Sequence, residues 1–334
     1  MINLLITGGS GYVGTRLTNY LLDRHKNIKI VNYDISFYGD DHLPINRDNY
    51  FYEKQDIRNA KKLAEVIKTQ KIDIVLHLAC ISNDPSFELN SKISKIINFD
   101  CFEDIVRFSK ANGVKKFIYA STSSVYGVSD SPNVDENHPL KPITDYNTYK
   151  AKCEPVLKKY LDNNFHGIII RPATVCGFSE KMRFDLSVNI LTNYAYVKNI
   201  INIFGGEQYR PNINIIDMCR LYEKIILEDI IKFNGEIFNA GVENLQIKNI
   251  AEIVKKVVDK KFNKDIKIVK SHSDDIRSYR INSEKIQNIF GFEFKYSVED
   301  AVVELCNKFE NGHLHDTFND RFQNIKVLSK LEAI

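Results

Sequence analysis

Short apolar runs alternate with amphipathic stretches along the first half of the chain. NLLIT (3–7) closes on glycines and reads as a buried strand, and YVGTRLTNYLLDR (12–24) follows with helical spacing. IKIVNYD (28–34), FYEKQDI (51–57), DIVLHLA (73–79), KKFIYAS (115–121) and HGIIIRP (166–172) repeat the strand pattern. Helices are predicted over about 59–69 and 92–111, and over the segment that carries Tyr146 and Lys150. Strands and helices alternating at this spacing predict an α/β fold, a Rossmann-type doubly wound parallel sheet. Its ligand should lie beyond the carboxyl ends of the strands.

After Pro172 the rhythm breaks. Residues 175–213 mix a helix with a short strand at 199–204, and GEIFNAG (235–241) again reads as a buried strand. QIKNIAEIVKKVVDK (246–260) and SVEDAVVELCNKF (297–309) are amphipathic helices, the second opened by Ser297 and Asp300 in a capping-box arrangement. The expected organisation is a dinucleotide-binding domain over 1–173 plus about 214–241. A smaller, interrupted mixed α/β domain over about 174–213 and 242–330 should close a cleft against it.

Composition narrows the function classes. Of 334 residues, 43% are hydrophobic and 27% charged, as in soluble globular proteins. Lys and Arg number 46 against 43 Asp and Glu, too balanced for a nucleic-acid surface. No apolar run approaches the ~20 residues of a transmembrane helix, and MINLLITGG lacks the basic leader of a signal peptide. A cytoplasmic location is expected. Six separated cysteines without a CxxC pair suggest reduced thiols rather than zinc or disulfides. HLHD (313–316) reads as a solvated tail, and no metal is expected.

Two stretches carry chemistry. TGGSGYVG (7–14) lies between the first strand and the first helix. Its Gly8, Gly11 and Gly14, with Tyr12 and Val13 between them, allow a tight turn and bring backbone amides close to a pyrophosphate. Asp34 ends the second strand, 20 residues past Gly14, where an acid holds the adenosine ribose hydroxyls. Its charge repels the extra phosphate of NADP, so NAD is the expected cofactor. In TDYNTYKAKCE (144–154), Tyr146 and Lys150 are i, i+4 and share a helix face. A cation beside a phenol lowers its pKa, which would make Tyr146 a proton-transfer group. Taken alone, the pair reads better as part of an ordinary amphipathic helix.

Together these segments resemble the extended short-chain dehydrogenase/reductases, and within them the nucleotide-sugar epimerase/dehydratase family. The resemblance spans nearly the whole chain and rests on TGGSGYVG, Asp34, QDIR (55–58), HLAC (77–80), STSSVYG (121–127), the Tyr146/Lys150 pair and RPATVCG (171–177). It implies that Asp56 and Ile57 flank the adenine and that Leu78, Ala79 and Cys80 line the cofactor. Asn98, Pro172 and Ala173 complete the cofactor side. Thr122 would orient a sugar hydroxyl, Tyr146 would act as general acid/base, and Lys150 would bind the nicotinamide ribose and depress the tyrosine pKa. Arg210 and Arg277 would grip the nucleotide diphosphate. Thr174, Met182, Arg183 and Asn189 are further candidates for the substrate side, and Tyr149 is expected to pack. A homodimer is implied by resemblance alone.

The resemblance also separates reactions. A 4,6-dehydratase usually places Asp-Glu after the catalytic threonine, whereas Ser123 and Ser124 stand here. Thr174 replaces the asparagine that epimerases and dehydratases often place there. HLACISNDPSFELN, KMRFDL and RSYRIN look most like a branch of surface-polysaccharide pathways that includes nucleotide-heptose 4-dehydrogenases. The expected activity is NAD-dependent oxidation at C4 of a nucleotide sugar, as 4-dehydrogenase or 4-epimerase. A 4,6-dehydratase, a 4-ketoreductase and a non-catalytic dinucleotide sensor are the alternatives.

Overall fold

The computed structural model describes residues 1–272 and 277–330. Six strands and the helices between them build the first part: β1 Ile2–Thr7, α1 Tyr12–Arg24, β2 Ile28–Asp34, β3 Tyr50–Lys54, α2 Ala60–Thr69, β4 Ile74–His77, α3 Asp84–Glu88, α4 Ser91–Lys95, α5 Phe102–Ala111, β5 Lys116–Ala120, α6 Asp145–Tyr160 and β6 His166–Pro172. The remainder runs β7 Thr174–Cys176, α7 Ser187–Lys198, β8 Ile200–Phe204, β9 Tyr209–Asn214, α8 Ile215–Leu227, β10 Ile237–Ala240, β11 Glu243–Gln246, α9 Ile247–Phe262, β12 Lys267–Ser271, α10 Glu284–Phe290, α11 Val298–Glu310 and α12 Asn324–Leu328.

Seven of the strands form one parallel sheet in the order β10-β6-β5-β4-β1-β2-β3. The chain steps from β1 to β2 and β3 on one side, then crosses back to β4 on the other. That reversal opens a crevice at the carboxyl ends of β1 and β4, the usual ligand position of such sheets. Strand interiors are near-continuous apolar runs because both faces are covered: Leu4 and Ile6 pack on one side, Leu5 and Val31 on the other.

The second part hangs from this sheet. β11, β9 and β7 make a three-stranded sheet, and β12 pairs with β8. Helices α7, α9 and α11 pack together over a separate apolar core that includes Val188, Ile250, Val254 and Val302. The expected capping box is present, with Ser297 and Asp300 each bonding the other's backbone.

One predicted helix differs. In place of a continuous 92–111 helix, α4 and α5 are joined by a π-helical turn, Ile96–Asp100. The wider turn swings Asn98 inward, where its side chain accepts from Ile81 N at 2.8 Å and donates to Ile81 O at 2.9 Å.

Candidate active site

The glycine loop closes directly on the β4 turn. Gly8 has φ +75°, and a Cβ there would come within 2.6 Å of Ala79 N. A Cβ on Gly14 would meet Gly8 O and Gly9 Cα at 2.6 Å, so only glycine lets α1 start this close to the loop. The first-turn amides of α1 point out of the helix without intrahelical acceptors. Asp34 sits beside them. Its two oxygens each accept one backbone N–H, from Ser10 at 3.0 Å and Ser36 at 2.7 Å. Burial raises its pKa above the usual carboxylate range, against the pull of those two amides.

Gly8, Gly11, Tyr12, Val13, Gly14, Asp34, Asp56, Ile57, Leu78, Ala79, Cys80, Tyr146, Lys150 and Pro172 all line one continuous cleft. Ala173 is buried just behind it. Burial works to raise the Asp56 carboxyl, but its bonds to Arg58 hold it below its ordinary value. Asn98 does not line the cleft. It holds the Ile81 backbone in place and so shapes the turn that does.

Tyr146 and Lys150 lie one turn apart on α6, as their spacing predicts. The ammonium of Lys150 donates to Ala120 O and lies 4.7 Å from the centre of the Tyr119 ring. The Tyr146 phenol is dominated by desolvation, which raises its pKa well above normal; Cys80 and Asp84 add to this, and Arg183 opposes it. The Lys150 ammonium is thus bonded to the β5 carbonyl rather than to the phenol. Tyr149 packs, as expected, its ring stacked on Phe87 at 5.8 Å and tilted against Phe99.

Thr122 follows β5 and caps a 3-10 turn, Ser123–Tyr126, by accepting from Ser124 N at 3.2 Å. The hydroxyls of Ser123 and Ser124 each lie 3.2 Å from the Tyr279 hydroxyl. No carboxylate takes part in that triangle.

The second part contributes unevenly. Arg210 donates to the carbonyl of Arg277, and Arg277 pairs with Asp84 of α3. The two arginines expected on the substrate side therefore lie together. Thr174 starts β7, opposite Asn212 of β9. Arg183 faces the cofactor cleft instead of a separate substrate pocket, held by Asp185 at 2.9 and 3.0 Å and by Ser82 at 3.0 Å. Met182 is 1% exposed within an apolar cluster of Tyr12, Phe178 and Phe184. Asn189 is fully buried and engaged by Gly177 N, Tyr12 and Arg183 O. Neither Met182 nor Asn189 reaches the cleft. Both are structural supports of the segment that carries Arg183.

Residues 4–241 match the NAD dependent epimerase/dehydratase family. The chain belongs to this family. Human dTDP-D-glucose 4,6-dehydratase is 31% identical over 328 residues, covering 93% of this chain and 91% of that protein. GDP-6-deoxy-D-talose 4-dehydrogenase of Aggregatibacter actinomycetemcomitans is 24% identical over 91% of this chain and 96% of its own length. UDP-glucuronic acid 4-epimerase from Bacillus cereus, solved with UDP-glucuronic acid and NAD, shares the fold with a TM-score of 0.82 at 22% identity, covering 93% of this chain and 99% of that one.

The protein is thus an NAD-dependent enzyme of the epimerase/dehydratase family, and its cleft suits that cofactor. Asp34 keeps lone pairs for ribose hydroxyls, and the α1 amides suit a pyrophosphate. Other lining residues escaped sequence reasoning: Phe37, Tyr38, Ser82, Lys181, Tyr222 and Asn324. They come from loops, from α8 and from the C-terminal segment; Ser82 and Lys181 fall within HLACISNDPSFELN and KMRFDL, but nothing in those stretches marks them as facing the cleft. Among the described residues, no cluster of His, Cys, Asp and Glu suits a metal, and no helix is long and apolar enough to cross a membrane.

Proposed function

We propose that the protein oxidises C4 of a nucleotide-linked sugar, as a 4-epimerase or 4-dehydrogenase in surface-polysaccharide synthesis in the cytoplasm. The observation that carries this reading is the placement of Tyr146 and Lys150 on one face of α6, in the NAD cleft, beside the turn headed by Thr122. Tyr146 takes the proton of the C4 hydroxyl, and Thr122 orients that hydroxyl by hydrogen bonding. Lys150 holds the ribose next to the reacting carbon. Bound NAD supplies the hydride acceptor. Arg210 and Arg277 bind the substrate diphosphate through their guanidinium groups.

The similarity to the human 4,6-dehydratase favours a second reading, loss of water after oxidation. Elimination needs one group to remove a carbon-bound proton and another to protonate the departing hydroxide. Ser123 and Ser124, hydroxyls bonded to the Tyr279 hydroxyl with no carboxylate between them, are weak candidates for either role. Oxidation without elimination is therefore the better account.

Incubation with NAD and a panel of uridine, guanosine, thymidine and cytidine diphosphate sugars tests this. A product of unchanged mass identifies the epimerase, and lasting NADH with a product two hydrogens lighter identifies the dehydrogenase. A product lighter by one water overturns the proposal. Replacing Tyr146 with Phe should lower turnover by roughly 10²–10⁴-fold, the usual worth of a general acid/base, with NAD still bound. Unchanged turnover in that variant removes Tyr146 from the mechanism.

A further inference from the structure

Three cationic side chains line the cofactor cleft among the described residues: Lys150, Lys181 and Arg183. Lys150 is committed to Ala120 O, and Arg183 to Asp185 and Ser82. Lys181 is different. It is 5% exposed, and its hydrogen-bond partners among the described residues are two carbonyls, Arg321 O at 3.0 Å and Met182 O at 3.4 Å. Its ammonium lies 5.0 Å from the centre of the Tyr38 ring. Burying an ammonium with no carboxylate in hydrogen-bonding reach among the described residues is costly, so a site built this way suits an anion that arrives with a ligand.

Two neutral groups in the same cleft point the same way. The Tyr38 hydroxyl and Asn324 Oδ1 are buried without a hydrogen-bond partner among the described residues, and both residues line the cleft. Buried polar atoms left unpaired in a free protein commonly await a ligand or a bound water. Asn324 belongs to the C-terminal segment. That segment crosses the molecule: Phe322 packs in the cluster with Met182 and Phe184, Phe184 N donates to Phe322 O at 2.8 Å, and Leu328 packs against the large sheet.

We infer that Lys181, Tyr38 and Asn324 form a clasp on the cofactor's diphosphate, additional to the amides of the glycine loop, and that it slows release of NAD. Around Lys181 stand Arg183 and Asp185 of its own segment, Arg321 of the tail and Asp41 of the loop after β2. Burial is the main reason that its pKa falls to about 8, with Arg183 next. A bound diphosphate favours the charged form and draws that value back up. NAD affinity therefore declines as pH rises through about 8. A captive cofactor also deepens the proposed function: a reduced cofactor that cannot leave must return its hydride to a sugar, which favours the epimerase. That last step rests on the C4 oxidation proposed above; the clasp itself rests only on NAD.

The test measures binding of NAD, ADP and adenosine by calorimetry, and the release of radiolabelled NAD, in Lys181→Met and Tyr38→Phe proteins. Lys181→Met should weaken NAD and ADP by roughly tenfold or more, as for a lost charge-assisted hydrogen bond. It should speed NAD release, leave adenosine binding unchanged and flatten the pH profile near 8. Tyr38→Phe removes a hydroxyl with no partner among the described residues, so it should keep or raise Tm while weakening NAD. Unchanged NAD affinity and release in a folded Tyr38→Phe protein, or equal losses for adenosine and NAD in Lys181→Met, overturn the clasp. Because binding is read without substrate, a protein that binds as expected but turns over no nucleotide sugar keeps the clasp and loses the proposed function.

Discussion

Asp34 lines the cleft and accepts a backbone N–H on each of its two oxygens. Its carboxylate is buried, is held by Ser10 and Ser36 amides, and titrates above the usual range. The folded protein therefore takes up this proton at a higher pH than the unfolded chain does. The free fold gains stability as pH falls through that window, and the gain is complete once pH drops below the unfolded value, ~3.9. The neutral carboxyl is a poorer acceptor for ribose hydroxyls, so NAD affinity should drop over the same window as the solution is acidified. Asp34→Asn should bind NAD more weakly at neutral pH and lose this acid limb. A calorimetric pH series checks both, and an acid limb that survives in the variant assigns it to another group. The place of Asp34 in the cleft was legible in the sequence because it follows from spacing after the glycine loop. Lys181, Tyr38 and Asn324 were not, because nothing in their neighbours along the chain sets the direction in which they point.

At the scale of elements, α6 does more than carry the Tyr146–Lys150 pair. Glu154, one further turn along the same face, is 3% exposed and makes a two-pronged bond with Arg171 of β6, at 3.0 and 2.7 Å. It also accepts from Ser121 at the end of β5. Arg171 continues to Tyr126, and Tyr126 to Asn239 of β10. One buried network thus ties α6 to three neighbouring strands and to the turn that follows Thr122. Removing the carboxylate leaves the Arg171 charge buried and unpaired. Glu154→Ala should therefore cost about 3–5 kcal/mol, read as a fall in the denaturant midpoint. A loss below ~1 kcal/mol would mean that water or a neighbour replaces the carboxylate. The π-helical turn at Ile96–Asp100 belongs to the same scale. The apolar pattern of 92–111 reads as one helix, and the extra residue in the turn is set by Asn98 reaching Ile81.

At the scale of the molecule, β10 returns from the second part to the edge of the large sheet, and the C-terminal segment crosses back over the cofactor cleft. We expect a homodimer formed through the helices that flank the sheet, α6 among them. Sedimentation equilibrium should then give twice the 38.6 kDa chain mass; a single-chain mass at micromolar concentration would dispose of that expectation. Local patterns determined the alternating strands and helices, the glycine turn, Asp34 and the i, i+4 spacing of Tyr146 and Lys150. Each of these depends on residues within one or two elements, where sterics and periodicity act directly. The tertiary structure alone decided that Arg183 lines the cleft, that Met182 and Asn189 are buried away from it, that Arg210 meets Arg277, and that Tyr279 closes on Ser123 and Ser124. Those contacts join segments far apart along the chain, Arg210 and Arg277 by 67 residues and Ser123 and Tyr279 by 156, and only packing of the completed core brings such groups within bonding distance.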